Sequence, residues 1–257
     1  MKRYGLIGEK LGHSYSKIIH ENIADYTYDL IPLSKEEFTE FMQRKEFTAI
    51  NVTIPYKQAV IPYLDELDPL AREIGAVNTI VNRSGRYIGY NTDFFGFRYL
   101  LEHNDIDVMG KKCLVLGSGG TSHTVAAVFS HLGASQVLIV SRQPSISTIT
   151  YEDCYANHTD AQIIANTTPL GMYPNMDASP IDLNLFVHCE AVVDAIFNPL
   201  ETRLTRQAKQ LGRKGVTGLV MLVAQAKQAI EYFLDRELDD TVIEDTYQYL
   251  LEVIKGK

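Results

Sequence analysis

Cysteine is scarce. The three present, Cys113, Cys154 and Cys189, are widely spaced, odd in number and form no C-x-x-C pair, so neither a disulfide framework nor a zinc site is expected. That usage points to a reducing, cytoplasmic setting. No run of about 18 apolar residues occurs, and the N-terminus, Met1 to Gly8, carries charge without an apolar stretch, so neither a membrane span nor a signal peptide is expected. Basic charge is also short: 24 Lys and Arg against 32 Asp and Glu give a net charge of -8. With no basic stripe, this argues against a nucleic-acid partner and for a small-molecule one. The seven histidines show no metal-ligand spacing, and G-x-S-x-G is absent, so no metal site or nucleophile-elbow serine is expected. Repeats, low-complexity tracts and long polar linkers are missing too.

What is present is enough apolar residue, 46% of 257, for two modest cores. Strand-like and helix-like segments alternate. Tyr4 to Ile7 reads as a strand, followed by a helix capped by Ser14 or Ser16 and carrying Ile18, Ile19 and Ile23. Ser34 and Glu37 form a capping box ahead of Phe38, Phe41 and Met42. Thr48 to Thr53 reads as a strand, and Pro55 suits the first turn of a helix carrying Lys57 and running through Val60, Ile61 and Leu64. After a helix over Pro69 to Ile74, Val77 to Val81, the Ser84-Gly85 turn and Tyr87 to Tyr90 read as a hairpin, and a helix begins at Asp93. Strands follow at Cys113 to Leu116, Gln136 to Val140, Ile163 to Asn166 and Ala191 to Ala195, with closing helices over about 219 to 234 and 240 to 254. The alternation predicts an α/β protein with parallel sheets covered by helices.

In Gly117-Ser118-Gly119-Gly120-Thr121-Ser122, between a strand and a helix, Gly117 permits a tight turn and Gly119 lets backbone amides approach a pyrophosphate at a helix N-terminus. Ser122 replaces the third glycine of a dinucleotide fingerprint. Past the next strand stands Val140-Ser141-Arg142, where NAD-selective folds place a ribose-binding carboxylate. Arg142 instead suits stacking on an adenine or pairing with a 2′-phosphate, so NADP is expected, with NAD left open because Gln143-Pro144-Ser145-Ile146 adds no second base.

Polar residues cluster at strand ends and helix starts: Ser14, Ser16, Asn51, Thr53, Lys57, Asn78 and Asp93. Singly, each suits a cap, a turn former or a solvated charge. Together the strings Gly12-His13-Ser14-Tyr15-Ser16, Asn51-Val52-Thr53-Ile54-Pro55-Tyr56-Lys57, Gly75-Ala76-Val77-Asn78-Thr79 and Asn91-Thr92-Asp93, with Asn166 to Met172 and Gly218 to Ala226, closely resemble the shikimate dehydrogenase family over nearly the whole chain.

That resemblance implies two α/β domains: a substrate domain of residues 1–93 completed by 226–257, and a Rossmann-type dinucleotide-binding domain of 94–225. It implies NADP-linked, reversible reduction of 3-dehydroshikimate to shikimate. Lys57 and Asp93 match the catalytic pair. Ser14, Ser16, Thr53, Asn78 and Gln225 match substrate-binding positions, while Gly117, Ser118, Gly119, Gly120, Thr121, Ser141, Arg142 and Gly218 match cofactor-binding ones. The pattern departs from the family at Lys17, a cation expected near the substrate carboxylate in place of proline; at Phe197, in place of a substrate-facing phenol; at Ser141-Arg142-Gln143; and at Ser118 and Thr121. Quinate as substrate, NAD as cofactor, and a non-catalytic ligand-sensing role therefore stay open, as does a homodimer.

Overall fold

The computed structural model describes residues 3–12, 14–143 and 145–256, so His13 and Pro144 of the strings above lie outside the described residues. The chain divides into two compact units, Met1–Gly96 with Leu222–Lys257, and Phe97–Met221.

The first unit opens with β1 (Tyr4–Gly8), α1 (Ser16–Ile23), β2 (Tyr28–Pro32), α2 (Lys35–Arg44) and β3 (Ala49–Val52). It continues through β4 (Glu66–Leu67), α3 (Pro69–Ile74), β5 (Thr79–Arg83) and β6 (Arg86–Tyr90) to the start of α4 (Asp93–His103). Its sheet has the order β2-β1-β3-β5-β6-β4. This sheet is mixed and not parallel throughout: β1 pairs in parallel with β2 and β3, whereas β5 runs antiparallel to both β3 and β6. The antiparallel pairing of β5 with β6 follows from the Ser84-Gly85 hairpin, whose two residues take φ of 53° and 88°, the left-handed pair a tight two-residue turn requires.

Side chains alternate across the pleat. Ile7, Ile50, Val52 and Ile80 face Phe38 and Met42 of α2, which is held at its start by the Ser34–Glu37 capping box. Tyr4, Leu6, Ala49 and Val81 face the other way, against Ala229 and Phe233 of α8 (Leu219–Leu234). Asn51 and Thr79 share the register of this second face, which puts polar groups on the α8 side. The last helix, α9 (Thr241–Lys255), packs on α1, with Asn22 Nδ2 donating to Thr246 Oγ1 at 3.2 Å.

Two local expectations are corrected. Lys57 does not lie on an α-helix: residues 54–60 are turns leading into a short 3-10 helix at Ile61–Tyr63. The Lys57 carbonyl, which helix geometry would offer to residue 61, instead accepts from Val77 N at 2.8 Å. Neither Ser14 nor Ser16 caps α1, whose N-cap is Tyr15 without a side-chain bond; Ser14 Oγ accepts from Ser16 N at 3.2 Å. Lys17 Nζ donates to Glu21 Oε1 at 2.5 Å and to Tyr28 O at 2.9 Å. Glu21 also accepts from Tyr28 N, so Lys17 and Glu21 together fasten the start of β2.

The second unit contains β7 (Lys112–Leu116), α5 (Gly120–His131), β8 (Gln136–Val140), α6 (Tyr151–Asn157), β9 (Ile163–Asn166), β10 (Ala191–Asp194), α7 (Arg203–Gln210) and β11 (Lys214–Thr217). Its sheet, ordered β11-β10-β9-β7-β8, is parallel in every pairing. Leu114, Leu116, Val140, Ile164 and Val192 build one core with Phe186 and Leu204, and α5 covers β7 and β8. The inner strands β7, β9 and β10 are buried on both faces, as is usual in parallel sheets. All three cysteines are buried and unpaired, and no helix of the described residues is long and apolar enough to cross a membrane.

Candidate active site and dinucleotide loop

In the first unit, Lys57 Nζ lies 2.5 Å from Asp93 Oδ2, with side chains only 13% and 9% exposed. Removing either partner of an ion pair so shielded would leave the other charge stranded in a poorly solvated place. Local structure fixes both ends. Thr53 N donates to Ile7 O and Tyr56 N to Thr53 O, turning the chain sharply after β3 to deliver Lys57. At the other end Asn91 Nδ2 donates to Ala76 O, and its Oδ1 accepts from Phe94 N, anchoring the first turn of α4 where Asp93 stands.

Behind the pair runs a buried polar network. Asn78 Oδ1 accepts from Thr92 N at 2.7 Å, and its Nδ2 donates to Thr92 Oγ1 at 3.0 Å. Thr92 Oγ1 reaches Gln225 Oε1 at 3.4 Å, and Gln225 Nε2 is held by Leu222 O at 2.8 Å. Asn51 Nδ2 donates to Asn78 O and Thr79 Oγ1, while Tyr28 OH donates to Asn51 Oδ1 at 2.7 Å. Buried polar groups satisfied in this way hold fixed geometry. The network thus joins Asn78 and Gln225 through Thr92, the residue preceding Asp93. Ser14, Ser16 and Thr53 join neither the network nor the ion pair. The serines lie at the opening of α1, and the Thr53 methyl packs so closely on Gly8 that a Cβ there would sit 2.5 Å from it.

Thr79, Thr92 and Tyr28 are members of this buried network that the sequence reading misses. Two of them stand inside the Asn78-Thr79 and Asn91-Thr92-Asp93 strings, which is signal enough to find them; Tyr28 carries none. Next to Tyr28 lies another unforeseen group, His20, stacked on it with centroids 4.0 Å apart. Full burial drives the His20 imidazole down to about 3, so it is neutral.

In the second unit, β7, the glycine loop, α5 and β8 form a βαβ unit. Gly117 has φ +108°, and a Cβ on it would meet Thr167 Oγ1 at 2.8 Å; both facts demand glycine. Gly119 is the N-cap of α5 with no side-chain cap bond, and a Cβ there would face open space. The first amides of α5 are therefore offered outward, the arrangement that suits a phosphate. Ser122 is fully buried, small enough to let α5 sit against the sheet. Ser118 Oγ and Ser141 Oγ lie 3.0 Å apart, and Ser141 Oγ accepts from Gln143 N, which ties the glycine loop to the turn carrying the exposed Arg142. No carboxylate follows β8, so the donor set fits a dinucleotide with an extra phosphate on its ribose. Gly218 N donates to Ile196 O at 2.8 Å, and a Cβ on Gly218 would lie 2.4 Å from Ala195 O. Phe197 is half-buried. Among the described residues no group of three or more His, Cys, Asp or Glu could hold a metal ion.

Residues 6–80 match the family described as the shikimate dehydrogenase substrate binding domain. The shikimate dehydrogenase (NADP(+)) of Clostridium beijerinckii is 36% identical over 264 residues, covering 96% of this chain and 97% of its own. Among solved structures, shikimate dehydrogenase 1 from Peptoclostridium difficile superposes with a TM-score of 0.90 at 34% identity, covering 97% of this chain and 98% of its own. The shikimate 5-dehydrogenase of Thermus thermophilus, solved in complex with NADP(H) and shikimate, gives a TM-score of 0.85 at 30% identity, covering 97% and 99%.

Proposed function

The chain belongs to the shikimate dehydrogenase family, and from that premise we propose that it is an NADP-dependent shikimate dehydrogenase, interconverting 3-dehydroshikimate and shikimate. The observation that carries this reading is the shielded Lys57–Asp93 ion pair abutting a network that already holds Asn78 and Gln225. The first unit supplies the substrate site and the second the cofactor site.

NADPH, when bound, supplies the hydride that reduces the ketone. The protein must hold the substrate and manage the charge and proton at its oxygen. Oxygen gains alkoxide character as the ketone is reduced, and an ammonium in a poorly solvated site stabilises it strongly. Lys57 Nζ is that group. Asp93 keeps the ammonium oriented and accepts from a substrate hydroxyl, and between them the pair holds the proton that the oxygen gains. Asn78 and Gln225, their rotamers fixed by Thr92, present amides to further hydroxyls; Ser14, Ser16 and Thr53 contribute hydroxyls from the opening of α1 and the end of β3. On the cofactor side, the amides of Gly117 to Thr121 receive the pyrophosphate, Ser141 and Arg142 the ribose phosphate, and Gly218 leaves room beside Ala195. The buried, unpaired thiols support a reducing cytoplasm as its location, and the net charge of -8 supports a small-molecule ligand over nucleic acid.

Initial rates with shikimate and quinate, each with NADP and NAD, test the reading. Shikimate with NADP is expected to give the highest kcat/KM. A protein inert with shikimate under both cofactors overturns it.

A further inference from the structure

Asp194, the last residue of β10, is wholly buried, and among the described residues only neutral donors reach it. Asn166 Nδ2 donates to its Oδ1 at 3.0 Å, Ile196 N to the same oxygen at 3.1 Å, and Thr202 Oγ1 to Oδ2 at 2.8 Å. No charge from the surrounding elements is engaged with it. On α7 and the turn before it, Arg206 and Lys209 pair with Glu201, and Arg203 donates to Asp177 O. Lys214 of β11 donates to the carbonyls of Asn104 and Asp105. Glu190, ahead of β10, pairs with Lys111, and β9 bears no charge. Burial outweighs the three hydrogen bonds and pushes the carboxyl up to about 6.

Such a carboxyl works against folding at neutral pH. The unfolded chain releases the proton near the ordinary aspartate value, the folded chain only near 6, so the native state is favoured below that range and disfavoured above it. A charge kept at that cost at the carboxyl edge of a parallel sheet points to a role in the site.

The bonds show what it holds. Asn166, fixed through its Nδ2, turns its Oδ1 to Thr168 N at 3.0 Å and Thr168 Oγ1 at 2.7 Å. Between them, Thr167 Oγ1 donates to Leu116 O and forms the wall that a Gly117 Cβ would strike. Ile196, fixed through its N, offers its carbonyl to Gly218 N, in the stretch where the Ala195 carbonyl crowds a Gly218 Cβ. One carboxylate therefore sets two separate loops, one backing Gly117 and one backing Gly218.

We propose that Asp194 is a positioning residue for NADP: as an anion it fixes the loops after β9 and β10 that shape the walls of the cofactor site, without itself touching the cofactor. Protonation puts a donor on one oxygen, which can turn to Thr202 Oγ1, and removes charge assistance from the bonds at the other, so the loops are held less firmly when the charge is lost. This rests on the NADP reading above.

The test measures NADPH binding directly, by the change in its own fluorescence, on full-length wild type and Asp194→Asn between pH 5.5 and 8, together with KM for shikimate and thermal stability. At pH 8 the variant should bind NADPH about tenfold more weakly, as expected for losing charge-assisted acceptance. Its shikimate KM should stay within twofold, and its stability at pH 7 should be equal or higher. The cofactor's 2′-phosphate titrates near 6 in both proteins, so the readout is their difference, which should shrink as pH falls through 6. If Asp194→Asn does not fold, Thr168→Val, nearly isosteric and one bond further along the same chain, carries the same weakening of NADPH binding with shikimate KM unchanged. Variants that bind NADPH like wild type overturn the proposal, as does a loss of cofactor binding, shikimate KM and stability in parallel. A wild type that does not bind NADPH overturns the NADP reading instead.

Discussion

Replacing Lys57 by methionine keeps the length of the stem and removes the ammonium. Two effects follow, and they separate. Loss of one preorganised donor at a developing oxyanion costs about 2.7–4 kcal/mol of barrier, or 10²–10³ in kcat. The second effect is on stability: Asp93, its side chain 9% exposed, loses the ammonium 2.5 Å away. Stranding a fully buried charge costs about 3–5 kcal/mol; the residual exposure of both side chains lowers that to about 2–4. The double variant Lys57→Met/Asp93→Asn removes the stranded charge, so most of the stability should return while activity stays at or below that of the single variant. Shikimate-dependent NADPH formation gives kcat, urea unfolding at pH 7 gives stability, and circular dichroism checks the fold. A folded Lys57→Met protein within tenfold of wild-type kcat would refute the catalytic assignment. A double variant as unstable as the two single losses added together would refute the ion-pair account.

Arg142→Ala should raise KM for NADP about tenfold, the loss of one hydrogen bond to a charged group, while changing KM for NAD by less than twofold; an equal change in both would assign Arg142 to something other than the ribose phosphate. Gly117→Ala should cost about 1–3 kcal/mol in backbone strain at φ +108° and weaken NADPH binding, read by denaturant midpoints and cofactor fluorescence; a variant as stable as wild type sinks that account. His20, lowered to about 3 by burial, binds its proton less readily when folded than when unfolded. It therefore contributes stability that is complete above about 6.5 and lost as pH falls towards 3, on the order of 2 kcal/mol between pH 7 and pH 5. His20→Phe should flatten that part of the stability profile, and an unchanged slope in urea unfolding would contradict it.

What can be read from the residues is local. The βαβ unit from Lys112 to Val140, the Ser84-Gly85 hairpin and the Ser34–Glu37 box each depend on a period or turn chemistry contained within a few residues, and the structure has all three. What escapes is set at a distance. Lys57 sits in turns because its carbonyl is bonded to Val77, twenty residues on. The edge strand Tyr28–Pro32 is short, partly exposed and ends in proline, so no alternation marks it. Lys17, the cation expected at the substrate, is tied to Glu21 and to β2, a strand the residues do not reveal. At the candidate site, short strings nominate Lys57, Asn78 and Asp93, yet the buried support from Thr79, Thr92 and Tyr28 emerges only once β2, β3, β5 and α8 are packed together. Asp194 looks ordinary until burial removes every counter-charge.

The first unit is interrupted: α1 and α9 meet across more than two hundred residues, with Phe97–Met221 folded separately between its two parts. Closing a floppy loop of that length would cost about 4 kcal/mol of chain entropy. A compact insert replaces the floppy loop with a spacer of defined shape. During synthesis that insert is complete before the rest of α8 and all of α9 emerge, and domains fold as units as they appear. Gln225, which closes the polar network against Thr92, is thus among the last site residues to arrive, so substrate affinity is expected to mature only after the dinucleotide fold already exists.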